Sequence, residues 1–593
     1  MAFLVSPGVQ VKETDLSNII PAVATSIGGF VGDFKWGPVS EVTTVSSEAN
    51  LIELFGYPIA ESGYSNRTDW YSVANFLGYS NNVQLVRVVG AASYNASAAG
   101  DSDTASDADS DAQIKNANDF ATDSTGLTHA LYAKYPGALG NGIGIAVIDA
   151  AVDSDNFISQ KIVGNTTASQ LFDTAPGTST WGAKYDSELK DEMHVVVYTT
   201  NETITGTANE VLETYAYVSK AKNALDDNNG NNYFVNVIND ASSWIWAQPN
   251  FNTSVDSESD SNLYSIGQTL TSLGENKRFP FIGKGTDAST KARTFTLSGG
   301  TDVVGTDGDK QTGWDILGDP ETVDVNLIIT GDNSAAVQKY AVTKAETRKD
   351  AIAFVSPSSS VGTNNPTAKK VVNYFSSFNS TSYAVFDSGW KRQYDKYNDE
   401  FFDMPLNPDI AGVTARAEFL NDAWFSPAGL NRGFIQNVVK LYFNPDQAGR
   451  DELYKNRVNP VITQRGVGTI LFGDKTALSR PSSFDRINVR RLFIVLEKAI
   501  ATAAKFQLFE FNDDFTRANF VAAVEPFLGD VKSRRGMTDF KVVCDTSNNT
   551  PAVIDGNRFV ADIYIKPSRS INFITLNFTS VRTGVSFDEV AGQ

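Results

Sequence analysis

Short continuous apolar runs, bounded by turn residues, recur along the chain and read as buried strands. The first, Val23-Ala24-Thr25-Ser26-Ile27-Gly28-Gly29-Phe30-Val31-Gly32, is crowded with small residues. Val83–Val89, Val323–Ile329, Ala351–Val355 (ending at Ser356-Pro357) and Ser382–Phe386 follow the same pattern. Helical periodicity appears between them. Ser46–Phe55 places Leu51, Leu54 and Phe55 on one face, with Ser47 as its cap. Ser72–Leu77 and Ala335–Lys344 are further predicted helices, and Ile487–Phe506 carries the stripe Leu492, Val495, Leu496 and Ala499. Ile143–Ile148, His194–Tyr198, Lys541–Cys544, Phe559–Ile565 and Ile571–Phe578 are predicted strands; β-branched and aromatic residues mark those near the C-terminus.

At the N-terminus Val9 and Val11 alternate with Gln10 and Lys12 between Pro7-Gly8 and Pro21, a short strand pattern. Residues 1–21 hold too few large apolar side chains to form a core, so they read as an arm. Alternating strands and helices in 22–90 and again in 301–485 predict an α/β core domain built from two separated stretches. Residues 128–300 read as a β-rich outward insertion, and 486–593 as an inner assembly domain ending in a strand arm. The expected class is therefore a multidomain α/β and α+β protein with a discontinuous core and extended terminal arms. At about 150 residues per domain, 593 residues suit roughly three to five domains.

Residues 91–127 break the pattern. Asp101, Asp103, Asp107, Asp109, Asp111, Asp119 and Asp123 face only Lys115. The stretch reads as an acidic linker or solvated loop. The alternative, a calcium loop, lacks most of the required ligands after Asp101-Ser102-Asp103.

Candidate chemistry is sparse. No phosphate-binding Gly-x-x-x-x-Gly-Lys-Ser/Thr loop occurs. Gly140-Asn141-Gly142-Ile143-Gly144 precedes a strand, the reverse of a dinucleotide fingerprint, and reads as a turn. His129 and His194 lie outside any metal-ligand spacing and read as surface or packing residues. Cys544, the single cysteine, reads as a buried apolar thiol and excludes an internal disulfide framework. Neither a secretory leader nor a membrane-length apolar run is expected. A net charge of −20 argues against general nucleic-acid binding. No catalytic, cofactor-binding or metal-ligating residue is assigned, and the chain is expected not to be an enzyme.

Two regions carry a resemblance. The first runs Ser6-Pro7-Gly8-Val9-Gln10-Val11-Lys12-Glu13, Phe34-Lys35-Trp36-Gly37-Pro38 and Phe55-Gly56-Tyr57-Pro58. The second includes Tyr394-Asp395-Lys396-Tyr397-Asn398-Asp399, Ser426-Pro427-Ala428-Gly429-Leu430-Asn431-Arg432-Gly433, Asn459-Pro460-Val461, Phe472-Gly473-Asp474-Lys475-Thr476, Phe484–Phe493 and Cys544–Pro551. In this order they resemble the tail sheath proteins of T-even-type contractile-tailed phages. Tyr135-Pro136-Gly137-Ala138-Leu139-Gly140-Asn141 is similar to that family's Tyr-Pro-Gly-x-x-Gly segment. The large members carry an additional outer domain ahead of that point, so the acidic stretch here implies a trimmed outer surface.

The resemblance implies a structural subunit that polymerises as stacked hexameric rings around a tail tube, contracts, and drives the tube through the host envelope for genome delivery. Implied partners are further copies of the chain, the tail tube protein, and baseplate and tail terminator proteins, without direct nucleic-acid contact or membrane insertion. The implied location is the virion tail, after assembly in the host cytoplasm. Strand arms exchanged between subunits would use Val9 and Val11 at one end and Ile571, Phe573, Ile574, Leu576 and Phe578 at the other; packing on their own subunit is the competing reading. Residues 486–541 reverse the overall charge, which makes Lys532, Arg534 and Arg535 candidates to face an acidic tube, against ordinary pairing within the subunit. Other readings are the sheath of a phage-like bacterial injection device, a secreted adhesin or surface-layer protein, and an enzyme without a recognisable motif.

Overall fold

The computed structural model describes residues 24–61, 64–98, 112–123, 126–150, 152, 154–251, 262–273, 275–282, 292–572 and 575. The chain forms two compact units, one of Ala24–Arg416 with Ala428–Ser479 and the other gathering Ala417–Pro427 with the chain from Arg480 onward.

The larger unit is organised by a seven-stranded sheet in the order Val42–Val45, Val83–Val88, Gly28–Asp33, Leu327–Ile329, Ile352–Val355, Ala384–Asp387, Val458–Asn459. All neighbours pair in parallel except the first two. Its central strands are buried along their whole length, as uninterrupted apolar runs require when both faces are covered. The small residues in the first run have a packing reason. A Cβ on Gly29 would lie 2.5 Å from the Val325 side chain, and one on Gly28 would lie 2.8 Å from the Phe76 ring.

Several element boundaries differ from the predicted ones. The strand expected from Val323 begins only at Leu327. The Arg348 guanidinium takes the Val323 and Val325 carbonyls at 2.8 and 3.4 Å, so a side chain occupies acceptors that a ladder would use. The first strand starts at Gly28, and the helix expected from Ser72 starts already at Arg67. The Ser47 cap forms as expected, its Oγ accepting from the Asn50 N–H at 3.2 Å.

Between the two halves of the large sheet the same unit holds smaller antiparallel sheets. One runs Val211–Ser219, Glu192–Thr199, Ile143–Asp149, Arg293–Thr296. Another runs Ile245–Ala247, Leu131–Ala133, Ser97–Ala98. Ala138–Gly142 is a 3₁₀ turn that feeds the buried strand Ile143–Asp149, so the glycine-rich segment is a turn into a strand.

The acidic stretch needs a correction. Asp101 to Asp111 lie outside the described residues, but 112–123 is docked rather than a free linker. Ala112 and Ile114 are buried with Tyr132 and Trp246, and Phe120 stacks on Trp246 at 4.2 Å within the helical turn Ala117–Asp123. Average composition hides this, because three apolar side chains, Ala112, Ile114 and Phe120, cluster with one distant tryptophan.

Both histidines serve packing. His194 is buried, its Nδ1 accepting from the Tyr217 N–H and its Nε2 donating to the Thr174 carbonyl, each at 2.9 Å. Burial pushes its pKa down. His129 Nδ1 lies 3.0 Å from Ser97 Oγ.

Candidate assembly site

The smaller unit is built from two long helices and one hairpin. Ile487–Ala504 presents Leu492, Leu496, Ala499 and Ala503 on one face. Asp514–Ser533 presents Phe520, Val524, Leu528 and Val531, again at three- and four-residue spacing. Asp513 caps the second helix, its Oδ1 accepting from Thr516 N–H at 2.8 Å. These stripes, with Trp424, Met537 and Cys544, make one apolar cluster. No helix among the described residues is long and apolar enough to cross a membrane.

Strands Met537–Val543 and Asp562–Pro567 pair antiparallel in a two-stranded sheet. Phe540, Val542, Ile563 and Ile565 turn inward onto the helical cluster. Asp539, Lys541, Tyr564 and Lys566 stand on the exposed face. An isolated hairpin is marginal in water, so the helices supply its support. Among the described residues neither outer edge has a third strand, which leaves backbone N–H and C=O groups open to an incoming segment.

The strands are joined by Cys544–Ala561, which contains the Cys544–Pro551 motif. Asp545 Oδ1 accepts from the Ser547 N–H at 2.8 Å, and Asn548 Nδ2 donates to the Val543 carbonyl at 2.8 Å. Asn549 grips Val560 in both directions, donating to its carbonyl at 2.7 Å and accepting from its N–H at 2.9 Å. That grip, with Phe559 turned onto Phe520 at 5.4 Å, explains why the strand begins at Asp562 and not at Phe559. Cys544 is buried, and burial pushes its thiol pKa up.

The basic candidates divide. Lys532 Nζ is 3.1 Å from Asp539 Oδ1, an ion pair that holds the Asp539 carboxyl below its ordinary range. Arg534 pairs with Asp422 and with Asp530, and its guanidinium lies 5.2 Å from the Trp424 ring centroid. Arg535 is exposed, with left-handed backbone at φ 67° and no ion pair among the described residues. Pairing within the unit therefore claims two of the three. Of the arm candidates, Val9, Val11, Phe573, Ile574, Leu576 and Phe578 lie outside the described residues; Ile571 is exposed and not in a strand. Periodicity could not point to the open hairpin edges, which depend on which strands meet.

Known proteins resemble this chain. A profile described as phage tail sheath protein central domain matches residues 306–477, and one described as phage tail sheath C-terminal domain matches 479–580. The tail sheath protein of Enterobacteria phage T4 is 33% identical over 667 aligned positions, covering 99% of each chain. That of Vibrio phage KVP40 is 32% identical, covering 99% of this chain and all of its own. The alignment with the T4 protein is longer than this chain's 593 residues, so that relative carries segments absent here. A solved sheath tail protein from Listeria innocua, 11% identical, shares the fold with a TM-score of 0.50 over 92% of this chain and 96% of its own.

Proposed function

The chain belongs to the phage tail sheath protein family, a structural family of virion components, and on that premise we propose how it assembles and works. Subunits polymerise as stacked hexameric rings around a tail tube. Contraction of the array drives the tube through the host envelope and delivers the genome. The partners are other copies of the chain, the tube protein, and the baseplate and terminator proteins at the two ends. Assembly takes place in the host cytoplasm.

The observation that carries this reading is the two-stranded sheet of Met537–Val543 and Asp562–Pro567. We assign its edges to strand addition by arms from neighbouring subunits, through Val9 and Val11 at one terminus and Ile571, Phe573, Ile574, Leu576 and Phe578 at the other. Four backbone hydrogen bonds at about 0.5–1.5 kcal/mol each make one arm worth roughly 2–6 kcal/mol. A single link is weak and several per subunit are strong, which suits a mesh that must stay connected while rings move. Head-to-tail links of this kind do not close on themselves and build open helical arrays.

We divide the chain accordingly. Residues 22–90 with 301–485 form the core domain; strands from both stretches share one sheet, which supports that grouping. Residues 128–300 project outward, and 486–593 with the N-terminal arm form the inner layer. Among the basic residues, Arg535 is the strongest candidate to face an acidic tube, with Lys532 and Arg534 contributing only if their internal pairs open.

Negative-stain electron microscopy of the purified chain, with and without residues 1–20, tests the scheme. Striated tubular polymers that vanish with the deletion support the arm mechanism. Polymers that survive it remove the N-terminal arm as an essential link. A chain that stays monomeric alone and with its tube partner overturns the assembly reading.

A further inference from the structure

The segment between the two long helices of the smaller unit, residues 505–513, together with the first turn of the second helix, does the opposite of what a soluble loop should. Phe506, Leu508, Phe509, Phe511 and Phe515 are each between 63% and 105% exposed, and none makes a ring contact among the described residues. So dense a run of exposed large apolar side chains marks an interaction surface. The loop is also pinned. Asn512 Nδ2 donates to the Arg558 carbonyl at 2.8 Å and to Asn549 Oδ1 at 3.2 Å, and Arg517 donates to Asn512 Oδ1 at 2.6 Å. Phe509 is held with left-handed backbone at φ 71°, which a bulky side chain rarely adopts. The scaffold thus presents the rings outward.

The charge around the loop points to its occupant. Glu510, Asp513 and Asp514 accompany the apolar residues against Lys505 and Arg517, the latter paired with Asp514. The same unit carries a surface of opposite character, the exposed hairpin face with Lys541, Lys566 and the ring of Tyr564. There Asp539 is paired with Lys532 and lies 4.0 Å from Lys566, and Asp562, which alternates onto the same face, accepts from Asn548 Nδ2 at 3.1 Å, so with Lys532 three lysines stand against two carboxylates. An apolar, acidic loop and an aromatic, basic face complement each other but not themselves. Two such surfaces on one chain make a heterologous contact, the kind that propagates without closing.

We propose that the Phe506–Phe515 loop of one subunit docks on the exposed face of the Met537–Val543/Asp562–Pro567 hairpin of a second copy. This deepens the assembly reading and rests on it. The hairpin edges stay available for strand addition, because docking uses the side-chain face.

The test combines two measurements on the full-length chain. Phe509→Ser/Phe511→Ser should leave the thermal melt unchanged while lowering the sedimentable polymer at least tenfold, and Lys541→Glu/Lys566→Glu should do the same. Separately, a Phe511→Cys subunit and a Lys566→Cys subunit, each in a Cys544→Ser background, are mixed, polymerised and oxidised. A disulfide-linked dimer on a denaturing gel supports the contact between copies. Polymer at the wild-type level from the phenylalanine variant overturns the proposal, including the case where only co-assembly with the tube is lost. Polymers without the dimer overturn it too. A wild-type chain that never polymerises overturns the assembly reading as well.

Discussion

The guanidinium of Arg87 donates a hydrogen bond to the carbonyl oxygen of Pro136 at 2.7 Å, and it reaches the carbonyls of Phe34 and Gly37 at the same distance. One buried side chain thereby joins Phe34-Lys35-Trp36-Gly37-Pro38 to Tyr135-Pro136-Gly137. Trp36 adds an edge-on contact with Tyr135 and a stacked one with Trp244, both at 5.3 Å. Gly137, at φ 139°, is a glycine because a Cβ would lie 2.8 Å from Asp302 Oδ1 and 3.0 Å from the Lys35 carbonyl. Motifs far apart in the chain are in effect one joint.

Arg87→Lys should therefore destabilise the larger unit although it keeps the charge. An ammonium cannot reproduce the planar fork that serves three carbonyls, and a buried carbonyl left unmatched costs about 1–3 kcal/mol. Urea titration followed by tryptophan fluorescence, which Trp36 and Trp244 should report, would show a lower midpoint. An unchanged midpoint would contradict the joint.

Asp332→Asn should stabilise the same unit at pH 8. Burial, aided by the Asp69 charge, pushes Asp332 up to about 7, and Lys310 only partly opposes this. The wild-type carboxyl thus ionises less readily folded than unfolded. Its penalty is absent below the unfolded value of 3.8, grows as pH rises, and is complete above about 7. The gain from asparagine should be on the order of 1–3 kcal/mol at pH 8 and fade toward pH 4. Melting curves of both proteins across that range decide it; a gain that grows with acidity has the wrong sign.

Asn549→Ala should loosen the hairpin without melting the helices. It removes both hydrogen bonds to Val560 and the acceptor for Asn512. A loss of about 1–3 kcal/mol is expected. Hydrogen exchange should speed up in Asp562–Pro567 while Ile487–Ala504 stays protected, and polymer yield should fall. Equal loss of protection in both elements would show that they unfold together.

Arg534→Ala and Arg535→Ala should separate stability from partner binding. Arg534 is tied to Asp422, Asp530 and the Trp424 ring, so its loss should lower the melting temperature. Arg535 has no such ties among the described residues, and its loss should leave the melt alone while weakening co-assembly with the tube. A reversed pattern would exclude Arg535 as a tube contact.

Elements set by near neighbours were legible in the chain itself. The Ser47 cap, the strands Ile143–Asp149 and Val83–Val88, and the helix Ile487–Ala504 each follow from patterns a few residues long. The helix Asp514–Ser533 has no counterpart among the predicted elements. Pro526 lies in its interior, where it removes a backbone donor, and only burial of Phe520, Val524, Leu528 and Val531 offsets that loss. The ordered motifs likewise pointed to the family before any fold was known.

What the tertiary structure alone decided is which distant groups meet. Gly28–Asp33 pairs with Leu327–Ile329 across nearly 300 intervening residues, a long-range choice that local periodicity does not encode. The docking of Phe120 on Trp246, the internal pairing of Lys532 and Arg534, and the exposure of Phe509 and Phe511 have the same origin. Sequence pattern determines how much apolar surface an element offers and on which side. Whether that surface or charge is satisfied within the subunit or left for a neighbour depends on the partner that the fold brings alongside it.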